Sequence, residues 1–171
     1  METRPNFTMQ ELEEMAVEAR RDDGPGTPGW NPEGSAFQTF NAAFIDEFRR
    51  NEGKIDAEIG FFDFALINCV GAKSGKPRTI PVAYYLVDER LLIIASMGGS
   101  DRNPPWYYNV AANPDVTVEI GAESFPATAI IHEGAEREKL FDGICAQQAI
   151  YREYQSQTER PIPIIELKRH G

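Results

Sequence analysis

At 171 residues and a formal net charge of −10, the chain has the length and mixed composition of one globular domain with a real core. The acidity argues against a nucleic-acid partner, which needs a basic face to displace counterions from phosphates. No apolar run approaches the roughly 20 residues that span a bilayer, and the acidic N-terminus is unlike a secretory signal. The sequence therefore predicts a cytoplasmic protein without a transmembrane segment, with peripheral membrane contact left open.

Residues 1–34 read as an N-terminal helix and wrapping loop. Thr8-Met9-Gln10-Glu11 matches a capping box, and the run from Gly24 to Pro32 is too rich in chain breakers for regular structure, with Trp30 a candidate anchor. A second helix opens at Ser35, carries Phe37, Phe40, Phe44, Ile45 and Phe48 on one face, and stops at Gly53. That stripe is what a packed helix needs whatever the function. Three β-rich runs follow, Phe64–Val70, Thr79–Val87 and Leu91–Ser96, patterned as an antiparallel meander.

Met97-Gly98-Gly99-Ser100 ends the third run, and its paired glycines suit either close approach to a ligand or a plain turn. Asn103 and Pro104 predict the cap and first residue of a short helix holding Trp106, Tyr107, Tyr108 and Asn109. Asp115–Ile120 and Ser124–His132 form a second hairpin, in which Pro126 predicts an edge strand or a bulge. Glu136–Ala149 is patterned as a helix with Leu140, Phe141, Ile144 and Cys145 inward and Tyr151 and Tyr154 at its end, and Ile162–Leu167 supplies the last strand. Cys69 and Cys145 have no partner at metal spacing, so reduced core cysteines and no metal site are expected; His132 and His170 fit no motif. The order predicts an α+β domain around a small barrel over residues 35–171.

Within this acidic chain the run Gly71-Ala72-Lys73-Ser74-Gly75-Lys76-Pro77-Arg78 concentrates three cations in a turn between two strands. It reads as an anion-holding loop, or else as a solvated hairpin tip. The spacing of a P-loop is absent and no helix follows.

Taken with Ala95-Ser96-Met97-Gly98-Gly99, Pro105-Trp106-Tyr107-Tyr108-Asn109, Ala112-Asn113-Pro114 and Tyr151-Arg152-Glu153-Tyr154, that run resembles the deazaflavin-dependent nitroreductase family of F420H(2)-dependent oxidoreductases over roughly Phe37 to Lys168. The resemblance implies a split β-barrel of the FMN-binding-protein type, antiparallel with flanking helices, and coenzyme F420 as cofactor. Lys73, Ser74, Lys76, Pro77 and Arg78 would then face the coenzyme's phosphate and glutamate tail. Pro81, Ile94, Ala95, Ser96 and Trp106 would border the deazaflavin ring, Met97 and Gly98 would be further cofactor-binding positions, and Tyr151 and Tyr154 would line the substrate side, where a mobile segment before Pro161 could close. The alternatives are core packing for Trp106 and a docked helix end for the tyrosines. Met97 stands where the family commonly has a lysine, with Arg102 a nearby substitute, and Gln157 stands where a Trp often follows the tyrosines. The implied activity is hydride transfer to a small electron-poor acceptor (enone, quinone or nitro compound) by a monomer or weak homodimer. The rivals are an FMN-dependent oxidoreductase on the same barrel and a non-catalytic deazaflavin carrier.

Overall fold

The computed structural model describes residues 35–54 and 63–171. The expectations for residues 1–34, and for the side chains of Phe37 and Phe40, lie outside what is described. In chain order the elements are α1 (Ser35–Arg50), β1 (Phe64–Val70), β2 (Pro77–Val87), β3 (Arg90–Ile94), a 3-10 turn (Met97–Gly99), α2 (Pro105–Ala112), β4 (Asp115–Ile120), β5 (Glu123–His132), α3 (Gly134–Gln147), α4 (Ile150–Ser156) and β6 (Ile164–Arg169).

Among the described residues the strands close into an antiparallel barrel in the order β1-β2-β3-β6-β5-β4. Alternation along each strand sorts the side chains. Ala65, Ile67 and Cys69 of β1 point inward with Val82, Ile93, Val118, Ala127 and Ile165, while Leu66 points outward beneath Phe44 and Phe48 of α1. The inner positions are mostly small or β-branched, which suits a barrel filled by its own side chains. α2 stoppers one end, where Trp106, Tyr107 and Val110 pack on the inner cluster. A second core lies on the outer face, where Leu140, Phe141 and Ile144 of α3 and Tyr151 of α4 cover Tyr85, Leu92, Ile94 and Ile164.

Several boundaries differ from expectation. Pro104, not Asn103, caps α2, with extended backbone (φ −62°, ψ 150°), and Pro105 is the first helical residue. The second proline forces this, because a residue preceding Pro is pushed out of the helical region. The predicted helix through Ala149 is two helices: Gln148 leaves helical geometry (φ −139°) and α4 starts at Ile150, so Tyr151 and Tyr154 sit on their own short element. Pro126 is neither on an edge nor in a bulge. It pairs with Thr117 of β4, and its carbonyl accepts the His170 N–H at 3.0 Å, so its missing donor faces the end of β6. Both cysteines are free and buried, and burial pushes the Cys69 thiol up to about 11. His132 Nε2 lies 2.7 Å from Glu166 Oε2, and exposed His170 lies 2.7 Å from Thr128.

The end of α1 is fixed twice. Gly53 (φ +76°) stops it as expected, its N–H reaching back to the Phe48 carbonyl at 2.7 Å. Arg49 forks onto Glu119 of β4 at 2.8 and 3.0 Å, Asn68 donates to the same carboxylate at 2.8 Å, and Thr79 donates to Asn68 at 2.6 Å. The Arg49 hydrogen bond holds the Glu119 carboxyl below its ordinary value. A carboxylate with a depressed folded pKa stabilises above its unfolded pKa and loses that contribution as pH falls through the folded value. Glu119→Gln is therefore expected to lower the unfolding free energy from urea titration at pH 7 by under about 1 kcal/mol, since Arg49 is half exposed. The gap to wild type should close once the medium is acid enough to protonate Glu119. A gap that persists at low pH contradicts the assignment.

Candidate active site at one barrel end

The loop between β1 and β2 is organised by its own backbone. Gly71 N–H donates to the Lys76 carbonyl at 2.8 Å, Gly75 N–H to the Gly71 carbonyl at 2.9 Å, and Lys76 N–H to Ser74 Oγ at 3.2 Å. Ala72 N–H donates to Asn109 Oδ1 of α2 at 2.9 Å, which ties the loop to the stoppered end. Most loop amides are thus satisfied internally, and among the described residues only those of Lys73 and Ser74 lack a protein acceptor. An anion here has to be held mainly by side chains.

Those side chains are available. Lys73, Ser74, Lys76, Pro77 and Arg78 are all exposed, and among the described residues no carboxylate pairs with any of the three cations. Arg78 is opposite Cys69, an inward-facing residue, so it leaves β2 on the inner-face register at the barrel mouth.

Antiparallel pairing brings the second loop to the same end. Tyr84 is opposite Ile93, so the chain leaving β3 at Ile94 returns to the end where the 71–76 loop sits. There Met97, Gly98 and Gly99 all adopt positive φ (+47°, +61°, +84°). Left-handed backbone is uncommon for a methionine, and such strained residues concentrate at functional sites. Gly99 shows why the turn needs glycine. A Cβ there would meet the Tyr154 carbonyl oxygen at 2.7 Å and Gln157 Oε1 at 3.0 Å, so the close approach is between this turn and the backbone of α4.

The predicted cofactor-binding residues beyond the cationic loop divide. Pro81, Ser96, Met97, Gly98 and Trp106 are half-buried, with Pro81 opposite Leu66 on the outer face of β2. Ala95 and Ile94 point into the two cores, Ala95 within the barrel and Ile94 beneath α3 and α4, so their side chains support this surface from below. The tyrosines divide as well. Tyr151 is only 5% exposed, and its hydroxyl lies 2.8 Å from that of Tyr85. Tyr154 is half-buried and packs edge-on against Tyr151, with ring centroids 5.8 Å apart. Gln157 is exposed and lines an open cleft of about 400 Å³ with Asp101, Ser156 and Thr158.

Arg160 was not picked out by the sequence. Its guanidinium donates to the carbonyls of Ser100 (2.7 Å), Ser96 (3.0 Å) and Ala95 (3.3 Å) and to Asn103 Oδ1 (2.8 Å). Desolvation lowers its pKa. Arg102, expected as the substitute cation, is exposed, and its backbone N–H donates to Ser100 Oγ at 3.4 Å. Arg137 and Gln155 hold the following segment. Arg137 donates to the Ile162 carbonyl and to Gln155 Oε1 (2.7 Å), and Gln155 donates to the Arg160 carbonyl (2.8 Å). These bonds flank Pro161, in the stretch where the sequence suggests a closing segment. A lone arginine in a loop has no periodicity that could have marked it.

The closed antiparallel barrel with flanking helices places the chain among the split β-barrel proteins. A family model for F420H(2)-dependent quinone reductase matches residues 42–168. An F420H(2)-dependent quinone reductase of Mycobacterium tuberculosis is 36% identical over 126 residues, covering 71% of this chain and 85% of that protein. A solved structure described as an F420-H2 dependent reductase (FDR-A) shares 38% identity at a TM-score of 0.56, over 61% of this chain and 93% of the other. Another, described as a domain-swapped dimer, shares 33% identity at 0.59, over 74% and 96%. The chain belongs to the F420H(2)-dependent quinone reductase family and is an F420-dependent oxidoreductase, as the sequence motifs implied. No helix among the described residues is long and apolar enough to cross a membrane.

Proposed function

We propose that the chain catalyses hydride transfer from reduced F420 to a small electron-poor acceptor, a quinone first, with enones and nitro compounds as further acceptors of the same chemical kind. The carrying observation is that three cations without carboxylate partners among the described residues project at the barrel end that also holds the strained Met97–Gly99 turn and Tyr154. A donor set of three cations and two unengaged amides suits an extended polyanionic tail better than a single phosphate. Lys73, Ser74, Lys76, Pro77 and Arg78 hold that tail, and Pro81, Ser96, Met97, Gly98 and Trp106 border the ring, backed by Ile94 and Ala95.

When bound, the deazaflavin supplies the hydride, and the protein contributes alignment and exclusion of water. Tyr154 forms a wall of the acceptor pocket, and Tyr151 fixes Tyr154 from behind as a positioning residue. Water or the Tyr154 hydroxyl delivers the proton that, with the hydride, completes reduction of a quinone to its hydroquinone.

Paired fluorescence titrations with F420 and FMN test the cofactor. F420 is expected to bind at least tenfold more tightly, and anaerobic mixing of the reduced complex with a simple naphthoquinone should yield one hydroquinone per coenzyme oxidised. Tighter FMN binding, or coenzyme binding without turnover on any acceptor, contradicts the proposal.

A further inference from the structure

We infer that Arg160 is a positioning residue that locks the ring-bordering turn and the Tyr154 helix into one rigid unit, so that coenzyme affinity and acceptor alignment are set together. The inference rests on the reading above for what the unit binds. The lock itself rests on two sets of contacts. The Arg160 side chain takes three carbonyls and one amide oxygen from residues 95–103. Its own carbonyl accepts from Gln155, the neighbour of Tyr154 in α4, and Gln155 Oε1 also accepts the Ile162 N–H at 3.0 Å. Gly99 closes the ring of contacts from the other side, its Cα hydrogen turned toward the Tyr154 backbone where no side chain would fit.

The chemistry selects arginine. A planar fork with five donors can bridge several carbonyls at fixed angles, whereas an ammonium offers a point charge with three donors on a flexible stem. The guanidinium has no carboxylate partner within ion-pair distance among the described residues, so carbonyl dipoles and Asn103 solvate its charge. A segment carrying three left-handed residues in succession has weak intrinsic preference for its shape. The bonds from Arg160 are what over-determine it.

Arg160→Met tests the lock in two ways. In the free protein, hydrogen exchange at the amides of Gly98–Ser100 and of Gln155–Gln157 should accelerate together, at least tenfold in both segments. In the titration, Kd for F420 should rise at least tenfold and recover in part with added guanidinium ion but not with sodium at equal ionic strength. Acceleration confined to residues 98–100 overturns the inference, as does an unchanged Kd in a folded variant. Should Arg160→Met not fold, Arg160→Lys, which keeps the charge but cannot span the acceptors, is held to the same two criteria. A wild-type chain that does not bind F420 while the two segments still exchange together overturns the functional reading and leaves the lock standing.

Discussion

Arg78→Ala and Lys73→Ala are each expected to raise the Kd for F420 by about tenfold to a hundredfold while leaving kcat at saturating coenzyme nearly unchanged. A well-formed charge-assisted contact contributes roughly 1.5 to 3 kcal/mol, or about one to two decades in affinity. The tail does not change charge during hydride transfer, so its contacts are equal in ground and transition states and act on binding alone. Both side chains are exposed and lack ion-pair partners among the described residues, so their removal should leave the fold intact. Added salt should weaken wild-type binding more than that of either variant. If both variants keep the wild-type Kd, the loop is a solvated hairpin tip and the tail binds elsewhere.

Tyr85 and Tyr151 should behave as a coupled pair with a characteristic double-mutant signature. Either Tyr→Phe change strands a buried hydroxyl, at a cost of about 1 to 3 kcal/mol, whereas the double change removes both polar groups and should return close to wild-type stability. Tyr151→Ala should cost about 3 to 5 kcal/mol through the cavity it opens, lowering Tm by on the order of 10 °C. Burial pushes the Tyr85 phenol up to about 12 and raises the Tyr151 phenol further. An acid whose folded pKa is raised stabilises below its unfolded pKa, so stability should fall as pH rises above about 10, and the double Phe variant should lose much of that dependence. Tyr154→Ala, at a half-buried position, should lower Tm less than Tyr151→Ala and lower kcat/KM for the acceptor. Additive losses in the two single Phe variants would show that the hydroxyls do not interact.

The core and the strands were legible because alternation is a strong signal where one face is buried. Phe64–Val70 and Asp115–Ile120 have the bounds their patterns gave, and Leu140, Phe141, Ile144 and Cys145 are inward. The cationic loop stood out because three positive residues in a turn are conspicuous in an acidic chain. What the sequence hid depends on contacts distant along the chain. Two adjacent prolines made the start of α2 ambiguous by one residue, and nothing in the run to Ala149 marked the break at Gln148. The burial of Tyr151 follows from a partner 66 residues away, and the role of Arg160 from acceptors about 60 residues upstream. Helical spacing placed the two tyrosines together but could not say that one faces the core.

Closure of the barrel by β6 carries a consequence for synthesis. β3 and β5 each pair with it along their open sides, so until residues 164–169 leave the ribosome two strand edges, including the apolar stretch Leu91–Ile94, have no partner. Unpaired edges invite pairing with other chains, and long-range strand contacts form slowly. The nascent protein therefore passes through an interval in which five strands exist and the ring does not.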